Sequence, residues 1–106
     1  IIGDGMTPVI LTESNDEMPN VFSLDNAYPN PFNPSTTINY TVGENSYVDI
    51  AIYDITGRVV DRLVSEYQET GRHGIVWNAE GLPSGLYFVR FDASDYSQTQ
   101  KLMLIK

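Results

Sequence analysis

Tyr28-Pro29-Asn30-Pro31-Phe32-Asn33-Pro34-Ser35-Thr36 runs directly into Thr37-Ile38-Asn39-Tyr40-Thr41-Val42, and that junction decides the fold class. Proline fixes φ, supplies no amide donor and pushes the residue before it out of the α region. Pro29, Pro31 and Pro34 therefore exclude a helix or a central strand and predict a stiff, extended, turn-forming lead-in. Immediately behind it the apolar period becomes two. Ile38, Tyr40 and Val42 share one face, with Asn39 and Thr41 on the other, which is the pattern of a half-buried strand. A rigid lead-in to a β-domain points to an appended module rather than a catalytic body.

Downstream the same alternation continues. Val48, Ile50 and Ile52 face one way while Asp49, Ala51 and Tyr53 face the other. Gly43-Glu44-Asn45-Ser46 reads as a turn, so the strands on either side of it are expected to form a hairpin. Asp54-Ile55-Thr56-Gly57-Arg58 is a second tight turn, with Gly57 supplying a positive φ. Arg58 to Val64 suits a strand or one helical turn, since Val60, Leu63 and Val64 also fit helical spacing, and its β-branched residues favour strand. Gln68 to Arg72 reads as a loop, and His73 to Trp77 as a strand with Ile75 and Trp77 together. After the Gly/Pro-punctuated stretch Asn78–Gly85, Leu86 to Ala93 aligns Tyr87, Val89 and Phe91. Asp92 to Tyr96 turns, and Ser97 to Ile105 is the last strand, with Leu102 and Leu104 opposite Met103 and Ile105. About seven short strands at regular spacing predict an all-β, immunoglobulin-like antiparallel sandwich.

Upstream, Thr7 to Thr12 is a short apolar run that suits the last strand of a preceding domain or an edge strand. Glu13 to Asn20 is polar, acidic and proline-ended, the composition of a linker. The division expected is residues 1–17 as linker or tail and 18–106 as the β-domain. With no initiator methionine at Ile1, the chain reads as a piece of something longer.

Charge and composition narrow the function classes. The net charge is −8, and every Lys and Arg follows Gly57, leaving eight acids and no base in the first 57 residues. Such a chain repels phosphate backbones, so nucleic acid is not an expected partner. The absence of cysteine excludes disulfides, thiolate nucleophiles and Cys-based metal sites. No hydrophobic stretch is long enough to cross a bilayer as a helix.

Candidate chemistry is thin. His73 is the single histidine, and neither Ser65 nor Ser84 with Asp61 gives a recognisable triad, so no catalytic residue is assigned. Asp92, Asp95 and Asp54 are oxygen donors that suit turns better than calcium, since no Asp-x-Asp-x-Asp-Gly loop exists. Neither a metal nor a cofactor is expected. Trp77 is either a sugar-stacking platform or core, and its alternation with Ile75 favours core. Tyr87 suits a core position with its hydroxyl reaching a loop. Tyr47, Tyr53, Tyr67 and Tyr96 are candidates for the surface, scattered without a line. The lead-in prolines suit an edge cap that prevents strand addition, with Asn30 and Asn33 closing Asx-turns. Lys101 and Lys106 flank the last apolar strand, where lysine blunts aggregation.

Four stretches occur in an order that resembles one family. They are Tyr28 to Ile38, Tyr53-Asp54-Ile55-Thr56-Gly57-Arg58-Val59-Val60, Leu82-Pro83-Ser84-Gly85-Leu86-Tyr87-Phe88-Val89, and Lys101 to Lys106. Together they resemble the type A C-terminal sorting domain of proteins exported by the type IX secretion system, over roughly Met18 to Lys106. The resemblance implies a non-enzymatic module that directs export across the outer membrane and cell-surface attachment of a larger cargo protein. Its implied partners are the outer-membrane translocon, a sortase-like protease and an upstream cargo domain of the same polypeptide. The residues that would carry sorting are Tyr28, Pro29, Asn30, Pro31, Asp54, Gly57, Arg58, Gly85, Tyr87, Lys101 and Lys106, with Glu13 to Asn20 as the expected cleavage region. The alternatives from other classes are a carbohydrate- or calcium-binding accessory module and a structural spacer of an extracellular multi-domain enzyme.

Overall fold

Every alternating run of the sequence becomes a strand in the computed structural model, which describes residues 21–106. The apolar run Thr7–Thr12, the acidic stretch Glu13–Asn20 and the boundary at residue 18 lie outside the described residues. Seven strands follow in order: β1 (Ser23–Leu24), β2 (Ser35–Val42), β3 (Ser46–Tyr53), β4 (Val59–Gln68), β5 (Gly71–Asn78), β6 (Gly85–Ala93) and β7 (Tyr96–Leu104). They form a three-stranded sheet, β1-β2-β5, packed on a four-stranded sheet, β4-β3-β6-β7, with antiparallel pairing throughout. This is the all-β sandwich that the period-two pattern requires, since each sheet has one apolar face to bury.

The expected hairpin across Gly43–Ser46 does not form. β2 pairs with β1 and β5, whereas β3 pairs with β4 and β6. The connection is an arch between layers: Ile38, Tyr40 and Val42 line the core from one sheet, and Val48, Ile50 and Ile52 from the other. A short polar link between two apolar-faced strands has the same sequence whether it stays in a sheet or crosses, so periodicity alone cannot separate the two. The arch is tied by Thr70 Oγ1–H to Val42 O at 2.9 Å and by Ser46 Oγ–H to Glu44 O at 2.6 Å. The expected loop Gln68–Arg72 shrinks to Glu69 and Thr70, because β4 ends at Gln68 and β5 begins at Gly71.

The core holds Trp77, Phe91, Ile38, Ile50, Ile52, Leu102 and Leu104, all nearly or fully buried. Phe32 lies with its ring centroid 5.4 Å from that of Trp77, and Tyr87 meets the indole edge-on at 5.7 Å. Aromatic contacts of this geometry add to the area term of burial. Trp77 Nε1–H donates to Asp61 Oδ2 at 3.0 Å, which satisfies the indole and links β5 to β4 across the layers. Tyr87 Oη–H donates to Pro83 O at 2.7 Å, four residues back. That is the tyrosine corner typical of immunoglobulin-like sandwiches.

Candidate functional site

The sequence-marked segments converge on the last strand. Asn30 does not close an Asx-turn. Its Nδ2–H donates to Lys101 O at 2.9 Å and its Oδ1 accepts from Met103 N–H at 3.1 Å, so the side-chain amide replaces a backbone unit on the edge of β7. Gln100 does the reverse from the strand side. Its Nε2–H donates to Asp25 O at 2.8 Å, and its Oε1 accepts from Ala27 N–H at 2.6 Å. Phe32 then supplies real backbone: its N–H donates to Met103 O, and its O accepts from Ile105 N–H, both at 2.9 Å. Asn33 closes no Asx-turn with the described residues.

This arrangement follows from the prolines. A lead-in that lacks amide hydrogens at Pro29 and Pro31 cannot complete a ladder with β7, so side-chain amides fill the gaps. The Tyr28–Pro29, Asn30–Pro31 and Asn33–Pro34 peptide bonds are cis. On its other side the segment is pinned to β2, with Tyr28 and Thr37 exchanging backbone bonds at 3.1 and 3.0 Å and Thr36 Oγ1–H reaching Pro29 O at 2.7 Å. The lead-in is thus a seam that leaves one sheet and joins the other. Past the strand, Lys106 N–H donates to Ser84 Oγ at 3.0 Å, and Lys106 Nζ donates to Glu80 O at 2.5 Å.

The Asp54–Arg58 turn is held by one carboxylate oxygen. Asp54 Oδ1 accepts from Thr56 Oγ1–H (2.6 Å), Thr56 N–H (2.9 Å) and Arg58 N–H (3.1 Å). The Thr56 side-chain bond first, then the Arg58 amide, holds the Asp54 carboxyl below the ordinary aspartate range. Gly57 adopts φ 87°, as a turn glycine must. Gly85, with φ 151°, opens β6 beside the tyrosine corner.

The remaining candidates resolve as follows. His73 stacks on Tyr40 with ring centroids 5.3 Å apart, and its Nε2 meets the backbone oxygen of Glu69 at 2.8 Å rather than a serine or a carboxylate. Burial raises the Tyr40 hydroxyl pKa, and the phenol donates to Gln68 Oε1 at 2.7 Å. Among the described residues no group of three or more His, Asp or Glu side chains is placed to hold a metal ion. Trp77 is 1% exposed, so it offers no platform for a sugar ring. Tyr47 and Tyr67, which look unrelated in sequence, are cross-strand neighbours on the outer face of the four-stranded sheet.

Comparison with known proteins gives the family. Residues 26–106 match the family described as the secretion system C-terminal sorting domain. The chain belongs to that family. As a sorting domain of this kind, the chain carries the address for type IX export across the outer membrane to the cell surface or the medium. A solved structure of PorZ from Porphyromonas gingivalis, described as an essential bacterial surface component of the type IX secretion system, superposes with a TM-score of 0.52 at 24% identity. That alignment covers 90% of this chain and 13% of PorZ, and at this identity it speaks for the sandwich fold. No curated protein sequence matches the chain.

Sequence reading did not single out three residues that build this joint. Phe32 sits between prolines yet is 2% exposed, Gln100 looks like any outward strand residue, and Ser84, which accepts from Lys106 N–H, has no pattern of its own. The signal available for Phe32 was chemical: an aromatic ring in a Pro/Asn tract has nothing local to pack on and is buried only by reaching the core.

Proposed function

We propose that the export machinery reads this sorting domain as a folded surface whose centre is the seam between the lead-in and the terminal strand. One observation carries the proposal: the first and last of the four ordered stretches are joined by Asn30 and Phe32 into a single hydrogen-bonded unit, which Gln100 extends to Asp25 and Ala27. Tyr28, Pro29, Asn30 and Pro31 shape one side of it and Lys101 and Lys106 the other. Asp54, Gly57, Gly85 and Tyr87 set the turns that flank it, and Arg58 is displayed beside them. The direct partners in this reading are the outer-membrane translocon and a sortase-like protease, and the passenger is a cargo domain of the same polypeptide. Cleavage belongs in Glu13–Asn20, the polar, acidic stretch that leads into the domain at 18–106, because polar segments near a domain's start are where proteases act. The module itself is non-enzymatic. It binds the machinery and leaves the chemistry to its partners.

The test is secretion. Residues 18–106 fused behind a reporter, in a host with the type IX machinery, are expected to carry the reporter to the cell surface or medium. A reporter retained in the periplasm sinks the proposal.

A further inference from the structure

One edge of the sandwich carries a row of backbone groups with no strand beside it among the described residues. Ala79 N–H donates to Pro34 O at 2.8 Å on the β5 side of β2, whereas Asp25 N–H reaches Asn39 O and Tyr28 exchanges bonds with Thr37 on the other side. Neighbouring residues of an antiparallel strand bond to opposite sides. Even-numbered residues of β2 therefore bond to β5, pairing Ile38 with Ile75, Tyr40 with His73 and Val42 with Gly71. The N–H and C=O groups of Arg72, Gly74 and Val76 then face away from β2, and all three residues are exposed. Such an edge is a template for another extended segment.

Side chains along the edge are an apolar pair and one cation. Val76 is exposed on the outer face, and Ile75 packs against the core while only partly buried. Arg72 forms no ion pair with a described residue, and Asp25, which shares a hollow with it, stays beyond ion-pair distance.

Pro8-Val9-Ile10-Leu11-Thr12-Glu13, which precedes the described residues, has the matching order. Set antiparallel with Val9 opposite Val76, it brings Ile10 beside Ile75, Leu11 beside Gly74 and Glu13 opposite Arg72. Opposed apolar pairs and opposite-charge pairs stabilise neighbouring strands. In this register Val9, Leu11 and Glu13 bond to β5. Pro8, which has no N–H, faces the new edge, where a missing donor costs nothing and blunts further addition. The chain also reaches. Ser23 is opposite Thr41 and Thr41 opposite Arg72, so Ser23, Thr41, Arg72 and Glu13 fall in one row. That row covers three inter-strand spacings, about 14–15 Å. The nine residues 14–22 can span roughly 30 Å.

We propose that residues 9–13 of this chain dock on β5 as a fourth strand of the three-stranded sheet. The site recognises an extended apolar segment ending in a carboxylate, and its occupation withholds the β5 edge from other chains. The inference rests on the sandwich and its register and is independent of the sorting reading.

Amide exchange followed by NMR, on the complete 106-residue chain and its Leu11→Pro variant, tests the docking. The substitution removes a bonding N–H from the docked strand and leaves residues 21–106 unaltered. So short a strand adds little to global stability, and exchange reads its closure locally. Arg72, Gly74 and Val76 are expected to exchange at least about tenfold faster in the variant. Ile75 and Trp77, which bond to β2, should be unchanged. Equal rates in the two chains overturn the docking. Protection that grows with protein concentration assigns the edge to a second copy and overturns it as well. The absence of cysteine makes a second measurement clean. Opposed Cα atoms of a bonded pair lie about 5.5 Å apart, within disulfide reach. Oxidised in dilute solution, Val9→Cys/Val76→Cys should therefore close an internal disulfide at least about tenfold faster than Val9→Cys/Tyr67→Cys, whose second site is exposed on the other sheet. Equal closure rates, or disulfide-linked dimers in place of the internal bridge, overturn the proposal.

Discussion

The edges of β7 and β5 have been treated in opposite ways. β7 is covered: Asn30, Phe32 and Gln100 join it to the lead-in, and Lys106 is fastened to Ser84 beyond it. β5 runs eight residues without a register break beside β2, and its outer side carries Val76 at 62% exposure with no Lys, Pro or bulge. Exposed strand edges invite pairing with other chains, and proteins usually blunt them. The contrast teaches that edges are handled strand by strand: β7 is covered by the lead-in, β4 is blunted by two bulges, and β5 is covered by none of the described residues.

The largest break of this contrast comes from the buried anchor. Phe32→Ala removes the ring against Trp77 and should cost about 3–5 kcal/mol, the range for deleting a core phenylalanine. Denaturant unfolding measures it, and a cost below ~1 kcal/mol would show that the lead-in is not part of the core. Asn30→Ala deletes two bonds to exposed backbone and should cost about 1–2 kcal/mol. A double-mutant cycle with Gln100→Ala tests whether the two amides act as one unit, in which case the losses will not add. Tyr87→Phe, which unties the corner next to the Lys106 clasp, should cost about 1 kcal/mol in the same measurement.

Acid sharpens the contrast in another way. The covering of β7 uses amides and backbone, which do not titrate, whereas the turn into β4 depends on Asp54. Because the folded-state pKa of Asp54 is lowered, its contribution is full above the ordinary aspartate value of about 3.9 and is lost as pH falls through the lower folded value. NMR amide shifts of Thr56 and Arg58 should therefore move below about pH 4, while those of Met103 and Ile105 stay still. Movement of both sets together would mean the two regions are coupled. The smallest effect belongs to the β5 edge: Val76→Lys should change stability by under ~0.5 kcal/mol, since Val76 is largely exposed and outside the core of the described residues.

Much of this was legible in the residues, and the limits have physical causes. Alternation at Ile38–Val42, Val48–Ile52 and Tyr87–Phe91 gave strands and buried faces, and Ile75 with Trp77 placed the indole in the core. Tyr87 was readable down to its hydroxyl, since a buried phenol beside Pro83 needs an acceptor. Which sheet each strand joined was not legible, because Gly43–Ser46 serves an arch as well as a hairpin. The roles of Asn30 and Gln100 were out of reach for a related reason. Their partners lie more than 70 residues away, and no local pattern encodes a contact of that separation. The pairing of Tyr47 with Tyr67 depends on a register broken by two bulges in β4.

The seam also constrains the order in which the domain can be completed. Asn30 and Phe32 precede six of the seven strands but find their β7 partners only when Lys101 to Ile105 exist, so loop closure over most of the domain must precede those bonds. A chain broken off before Lys101 lacks every β7 partner of Asn30 and Phe32 and leaves Gly85 to Phe88 of β6 unpaired on that side. The seam is therefore a late-closing joint: only a polypeptide that includes Lys101 to Ile105 can form it.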